Sequence, residues 1–576
     1  MASENLYSVR EIQDLKDMLT QSCIMYGDKS AFLIREGDNR YREISYSRFS
    51  NDIEALGTAL LKLGLSNGLI AILGENRYEW CVTYLSVING VGTVVPLDKE
   101  LPSEEVVNLL NRCEANAIIF SGKCRDQMKK LVGSISSIRY FVDMDSEQDS
   151  EGLLSFRRLL ENGRELLKAG ENDYSLMEVN PDTMSALIFT SGTTDLAKGV
   201  MLSHRNICTN ITSVCSTVQI KSEDVSLSIL PIHHTYECTL GFLAMLYNGG
   251  TIAFNDGLKH IPRNLREVKP TFMVTVPLIL ENMYRKIWDK VGKKKLMRIK
   301  FRAALFFTDL LYRVLKIDIR KKVFKSVHEN FGGRLRLIIT GAAAIRPEVS
   351  RCFRKMGIQV LQGYGLTECA PLVAGNRDKS FVDSAGGLPI PGVQIKIFNP
   401  DSKGIGEIAV KGDNVMLGYY RNDAATKNSI RDGWFHTGDL GYLGRKGFLY
   451  ITGRLKNVIV TKNGKKIFPE EVESYINRSP FVQESLVYGE CEQVSGECFV
   501  CAQILPDLEA IREKFKLVSA SKEELMKIIR EVIRNTNKDM PFYKHIRQFT
   551  IQETEFAKTT TQKIKRYVEA PKRFQN

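Results

Sequence analysis

Five short runs of nearly unbroken apolar residues constrain this chain most: LIAILGEN at 69–76, ANAIIFSG at 115–122, MSALIFTSG at 184–192, TFMVTVP at 271–277 and LRLIITGA at 335–342. Each closes on Gly, Ser, Thr or Pro. A strand wetted on one face alternates apolar and polar residues, so runs like these read as strands covered on both faces. The stretches between them suit helices. The pattern predicts an α/β chain with layered, mostly parallel sheets and with ligands beyond the strand C-termini.

From about Gly392 the character changes. VQIKIFN, GEIAVKG and GFLYITG alternate and are punctuated by Gly and Asp, which predicts a small β-rich, antiparallel region. A final α+β unit follows GRLKN, with helices expected near Glu470–Asn477 and Lys522–Asn535. A length of 576 residues is too great for one ordinary domain. A hinge at Gly453–Asn457 is the expected boundary, giving a large N-terminal domain (1–455) and a small mobile C-terminal domain (456–576).

The N-terminus has no apolar stretch behind a basic start, so no secretory signal is expected. No run reaches the roughly 18–20 apolar residues of a membrane-spanning helix. The reading is a cytoplasmic protein whose twelve cysteines are reduced. Cys498 and Cys501 form a C-x-x-C with Cys491 nearby, but they sit in a strand-like run and read as buried structural cysteines. The net charge of +13 favours anionic partners. Nucleic acid is not expected, because neither zinc-finger spacing nor an RNA-recognition motif is present.

Four polar clusters carry the chemistry. Thr190-Ser191-Gly192-Thr193-Thr194-Asp195-Leu196-Ala197-Lys198-Gly199 follows a buried strand and reads as a strand-to-helix turn rich in phosphate donors. It is not a Walker loop, since Gly199 stands where a magnesium-binding Ser or Thr belongs. Gly363-Tyr364-Gly365-Leu366-Thr367-Glu368 sets a ring between glycines, suited to stacking on a base, beside a hydroxyl and a carboxylate suited to phosphate and Mg²⁺. Asp439, in a tight turn, and Arg454 suit a ribose. Lys558–Arg566 offers a lysine that can cover an α-phosphate. Taken singly, each is more often an ordinary turn or a solvated tail.

Together, in this order and spacing, they resemble the adenylate-forming superfamily of acyl-CoA synthetases, nonribosomal peptide adenylation domains and beetle luciferases, over nearly the whole chain. The resemblance implies ATP, Mg²⁺ and coenzyme A as ligands. It implies that Thr190–Lys198 covers the β- and γ-phosphates, that Gly341, Ala342, Ala343 and Tyr364 sandwich adenine, and that Thr367 meets the α-phosphate. Glu368 is then the Mg²⁺ ligand, Asp439 and Arg454 hold the ribose, and His234 matches the family's pocket histidine. Lys563 bridges acyl carboxylate and α-phosphate, and Lys456 stands at the hinge about which the C-terminal domain turns between steps.

Two departures stand out: Asp195 and Ala197 replace Gly and Pro of the usual phosphate loop, and Thr561-Gln562-Lys563 replaces Ser-Gly-Lys. VPLILENMYRKI, the insertion after it, and TKNGKKIFPEEVE resemble long-chain fatty acyl-CoA synthetases. The alternatives are a fatty acyl-AMP ligase serving an acyl carrier protein, and a non-catalytic nucleotide- or lipid-binding relative. The basic segment 293–302, interleaved with apolar residues, reads equally as a peripheral contact with the inner face of a membrane and as a solvated face.

Overall fold

The structure is a computed structural model that describes residues 6–150, 152–190, 197–292, 294–461, 465–491, 498–516, 521–558 and 564–569. The chain forms two compact units. The first holds 1–190, 197–394 and 410–435, and the second holds 395–409 and 436–576.

In the first unit all five apolar runs are strands: Gly68–Leu73, Ala117–Phe120, Met184–Thr190, Phe272–Thr275 and Leu337–Thr340. They fall into two sheets. One has eight strands, in the order Gly418–Tyr419, Lys198–Ser203, Met184–Thr190, Gly92–Leu97, Gly68–Leu73, Ala117–Phe120, Tyr140–Asp143, Leu154–Ser155. The six strands from Met184–Thr190 onward are parallel, and the first two pair antiparallel. The other has nine strands, with Gln359–Gly365, Leu337–Thr340, Phe272–Thr275, Val225–Ser228, Thr251–Phe254 and Ser30–Gly37 parallel at its centre.

An aromatic layer ties the helices to these sheets. Phe32 packs edge-on to Phe49 and Tyr78, and Trp80 stacks on Tyr84 and meets Phe242 edge-on. Trp80, Phe32, Phe49 and Phe242 are essentially solvent-free, and burying each stabilises the fold by roughly 1.5–3 kcal/mol. The helix Tyr46–Lys62 shows how the sequence sets such elements. Ser45 caps it by accepting from the Arg48 N–H, and Phe49, Ile53, Leu56 and Leu60 recur on one buried face.

The alternating runs, most of whose residues belong to the second unit, form the strands Gln394–Phe398, Gly406–Lys411 and Leu449–Arg454, with Trp434–Leu443 antiparallel to the last. Further on, Val482–Cys491 and Cys498–Pro506 form a hairpin extended in parallel by Ile546–Ile551. The helices Pro469–Ile476 and Lys522–Lys538 bury Val472, Ile476, Ile529, Val532 and Ile533 into one core with this sheet.

The cysteine reading needs correction. Cys491 and Cys498 stand directly opposite each other in the hairpin and form a disulfide. Cys501 lies on the same strand with its thiol 3.3 Å from Glu490 Oε2, and burial pushes it up to about 12. The other ten cysteines are free thiols.

Candidate active site

Met184–Thr190 pairs antiparallel with Lys198–Ser203. Thr190 pairs with Lys198, and Thr190 Oγ1 donates to the Lys198 carbonyl at 3.3 Å. The next described element after this strand is therefore a second strand and not the expected helix. Lys198–Ser203 is extended, and the helix His204–Thr217 begins only afterwards. A capping box sets that start: the Asn206 N–H donates to Ser203 Oγ, and the Ser203 N–H donates to Asn206 Oδ1. Among the described residues beside the stretch after Thr190, Lys198 brings a positive charge. Ser191, Gly192, Thr193, Thr194 and Asp195 lie outside the described residues.

Lys198 Nζ sits 4.8 Å from the centre of the Tyr419 ring. Tyr419 is brought there by the two-residue strand Gly418–Tyr419, which pairs with Lys198–Ser203. Its hydroxyl donates to Glu368 Oε1 at 3.0 Å. Burial, reinforced by Glu368, holds that hydroxyl well above its ordinary range, so it remains a donor at neutral pH. Lys198, Tyr419 and Glu368 thus form one chain of contacts linking two clusters 170 residues apart in sequence. Tyr419 has no local signature, and sequence reasoning missed it.

Thr367 and Glu368 occupy a single helical turn just past the strand Gln359–Gly365. Helix His204–Thr217 fastens this turn: Asn210 Nδ2 donates to the Cys369 carbonyl at 2.8 Å, and the Leu372 N–H donates to Asn210 Oδ1 at 2.7 Å. Within the strand, Gly363, Tyr364 and Gly365 face Gly375, Ala374 and Leu372. Gly365 is required by close approach, since a Cβ there would lie 2.2 Å from the Pro371 carbonyl oxygen.

The neighbouring strand Leu337–Thr340 is parallel, with Thr340 beside Gln362. Gly341, Ala342 and Ala343 therefore leave the same sheet edge as Gly363–Gly365. Ala342 takes a left-handed φ of 69°. Tyr236 supports this turn, its hydroxyl within 3.2 and 3.3 Å of the Thr275 and Ile339 carbonyls.

His234 is half-buried next to His233, with ring centres 4.2 Å apart. His233 is the buried member, and burial drives it down to about 3, so it is neutral. With Tyr84, Pro96, Ile188 and Thr239 it lines an apolar gap of about 10 Å³, room for about one water. A polar buttress below fixes this turn. Asn76 accepts from the Ile232 N–H at 3.0 Å and donates to Ser228 Oγ at 2.8 Å, and Ser228 donates to Glu237 Oε1 at 2.6 Å. Burial raises Glu237 to about 8, which keeps it protonated at neutral pH.

In the second unit, Asp439 stands mid-strand rather than in a turn, directly opposite Arg454. Arg454 Nε donates to Asp439 Oδ1 at 2.8 Å. Gly438, at φ 70°, turns its N–H to Glu407 Oε1 at 3.1 Å. Lys456 lies exposed in the single turn Leu455–Asn457. Farther on, Lys558 pairs with Glu484 at 2.9 Å and Arg566 grips both oxygens of Glu473, so these two ends of the basic segment are held by carboxylates. Thr561, Gln562 and Lys563 lie outside the described residues.

The edge where Leu337–Thr340 and Gln359–Gly365 end, with the Lys198–Tyr419–Glu368 contact, is the kind of place where α/β proteins bind ligands. The chain matches the AMP-binding enzyme family over residues 19–420 and the AMP-binding enzyme C-terminal domain over 456–575, and it belongs to the AMP-binding enzymes. Among its relatives is the rat protein named long-chain-fatty-acid–CoA ligase 5, 28% identical over 541 residues, covering 88% of this chain and 77% of that protein. Another is the Mycobacterium bovis long-chain-fatty-acid–CoA ligase FadD15, 28% identical over 566 residues, covering 93% and 92%. In fold, ATP-bound MatB from Rhodopseudomonas palustris is similar at a TM-score of 0.74 and 23% identity, covering 97% of this chain and 98% of that one.

Proposed function

We propose that this protein is an acid–thiol ligase that adenylates a long-chain fatty acid with ATP and hands the acyl group to coenzyme A. The Lys198–Tyr419–Glu368 contact carries this reading, in a chain that belongs to the AMP-binding enzymes and whose relatives over most of its length are named long-chain-fatty-acid–CoA ligases. A carboxylate oxygen attacks the α-phosphorus in line, the bond to pyrophosphate breaks, and an acyl-adenylate forms. The thiol sulfur then attacks the acyl carbon, and AMP leaves with the electron pair.

Catalysis of the first step is placement plus neutralisation of charge. In this assignment Thr190–Lys198 holds the β- and γ-phosphates, and Gly341–Ala343 and Tyr364 sandwich adenine. Thr367 meets the α-phosphate, Asp439 and Arg454 take the ribose, His234 lies beside the acyl group, and Lys563 joins the carboxylate to the α-phosphate. Residues 456–576 turn about Lys456 between the steps. Mg²⁺ generally rests on one or two carboxylates plus substrate phosphates. Glu368, steered through one oxygen by Tyr419, fits that need, and the ion would offset phosphate charge there. The protein works in the cytoplasm, with any membrane contact made through the segment around 293–302.

Acid-dependent exchange of labelled pyrophosphate into ATP, followed by product analysis with coenzyme A and with a holo acyl carrier protein side by side, tests this. Exchange with fatty acids and preference for coenzyme A are expected. Preference for the carrier would reject the acceptor, and nucleotide binding without exchange for any acid would reject the enzyme.

A further inference from the structure

The helix Lys295–Leu315 carries two apolar faces. The inner one is conventional. Leu305 and Thr308 are buried, Phe301 packs edge-on between Trp288 and Phe324, and the helix rests on Pro277–Val291 and Pro347–Lys355. The outer face consists of Leu296, Ile299, Ala303, Phe306, Phe307, Leu310 and Val314, spaced by three and four residues, which places them along one side of a helix. These are not marginally exposed: Leu296 is 62% accessible, Phe306 57%, Phe307 60% and Val314 67%. A stripe of this size in water marks an interaction surface.

Charge says what covers it. Between residues 294 and 325 eleven lysines and arginines stand against only Asp309 and Asp318. On the helix, Lys295, Arg302 and Arg313 flank one side of the stripe and Lys300 the other. A second copy of the chain would bring like charge to like charge. An anionic bilayer offers both acyl chains for the stripe and headgroups for the cations. Among the described residues no helix is long and apolar enough to cross a membrane, so the helix lies in the surface. We infer that the outward face of Lys295–Leu315, as far as Val314 and well beyond the basic stretch 293–302, docks on an anionic lipid surface. This rests on the helix surface and not on the reaction assigned above. The docked helix would seat the helix Pro347–Lys355, and so the strand carrying Tyr364 that follows it, next to a store of fatty acyl chains.

Flotation of the full chain with phosphatidylcholine vesicles, with and without phosphatidylserine, tests the inference. Binding is expected to the anionic vesicles and to weaken as salt rises. Phe306→Ser with Phe307→Ser should lower it at least about tenfold. Lys295→Gln and Lys300→Gln should each lower it roughly fivefold, on the anionic vesicles alone. These side chains face outward, so an unchanged melting temperature and unchanged turnover of a water-soluble short-chain acid would show the fold intact. Wild-type protein that stays off anionic vesicles, or serine variants that bind them as wild type does, would overturn the proposal. So would a concentration-dependent dimer abolished by the same serines, which would give the face to a second copy.

Discussion

Replacing Tyr419 with phenylalanine deletes one hydroxyl and leaves the ring under Lys198 in place. The lost bond runs to a carboxylate, Glu368 Oε1, at 3.0 Å. Hydrogen bonds to charged partners contribute about 1.5–3 kcal/mol, and this half-buried one belongs near the lower end. A loss of about 1.5 kcal/mol corresponds to about tenfold in kcat/KM for ATP. Tyr419→Ala also removes the ring 4.8 Å from Lys198 Nζ, which adds about 0.5–1 kcal/mol, or several-fold more. Pyrophosphate exchange measured at varied ATP separates the two, with melting temperature as the control for folding. Exchange in Tyr419→Phe equal to wild type would refute the idea that Tyr419 steers Glu368.

Lys563→Ala should cut acid-dependent pyrophosphate exchange severely yet spare thioester formation from preformed acyl-adenylate, and equal loss in both half-reactions would contradict the two-conformation mechanism. Gly365→Ala places a Cβ 2.2 Å from the Pro371 carbonyl, so the backbone beside Tyr364 must move. A cost of about 1–3 kcal/mol in stability and weakened ATP binding by calorimetry are expected. His204 is buried, accepts from the Leu15 N–H at Nδ1 (3.1 Å), contacts the Ile88 carbonyl through Nε2 (2.9 Å), and is pushed by burial from 6.5 to about 4. The unfolded chain therefore takes up a proton that the native state refuses. Stability should fall as pH drops from 6.5 to 4, by up to about 3 kcal/mol. Urea midpoints across that window should flatten in His204→Gln.

The strands of the first unit were legible because a strand covered on both faces must be apolar throughout, and LRLIITGA and MSALIFTSG could be little else. The helix Lys522–Lys538 was legible for the opposite reason: a polar face and a Ser521–Glu524 capping box announce it. The element after Thr190 was misread because Lys198–Ser203 is too short to show a period, and the cap that delays the helix rests on a single Ser–Asn pair. Asp439 looked like a turn residue among glycines, whereas Gly438 absorbs the irregularity and leaves Asp439 in the strand opposite Arg454. Tyr419, Asn210 and the Asn76–Ser228 contact act across 51 to 162 residues. Nothing local marks such partners. The disulfide was invisible for a related reason: C-x-x-C drew attention to Cys501, but register sets Cys498 against Cys491.

The central claim is that a fatty acid carboxylate oxygen bonds to the α-phosphorus of ATP. Incubating the protein with ATP, coenzyme A and a long-chain fatty acid labelled with ¹⁸O in both carboxylate oxygens reports on that bond directly, by mass spectrometry of the nucleotide. One ¹⁸O in the AMP produced, with unlabelled pyrophosphate, is the expected result. Unlabelled AMP alongside acyl-CoA, or label in phosphate with ADP as the nucleotide product, would contradict it.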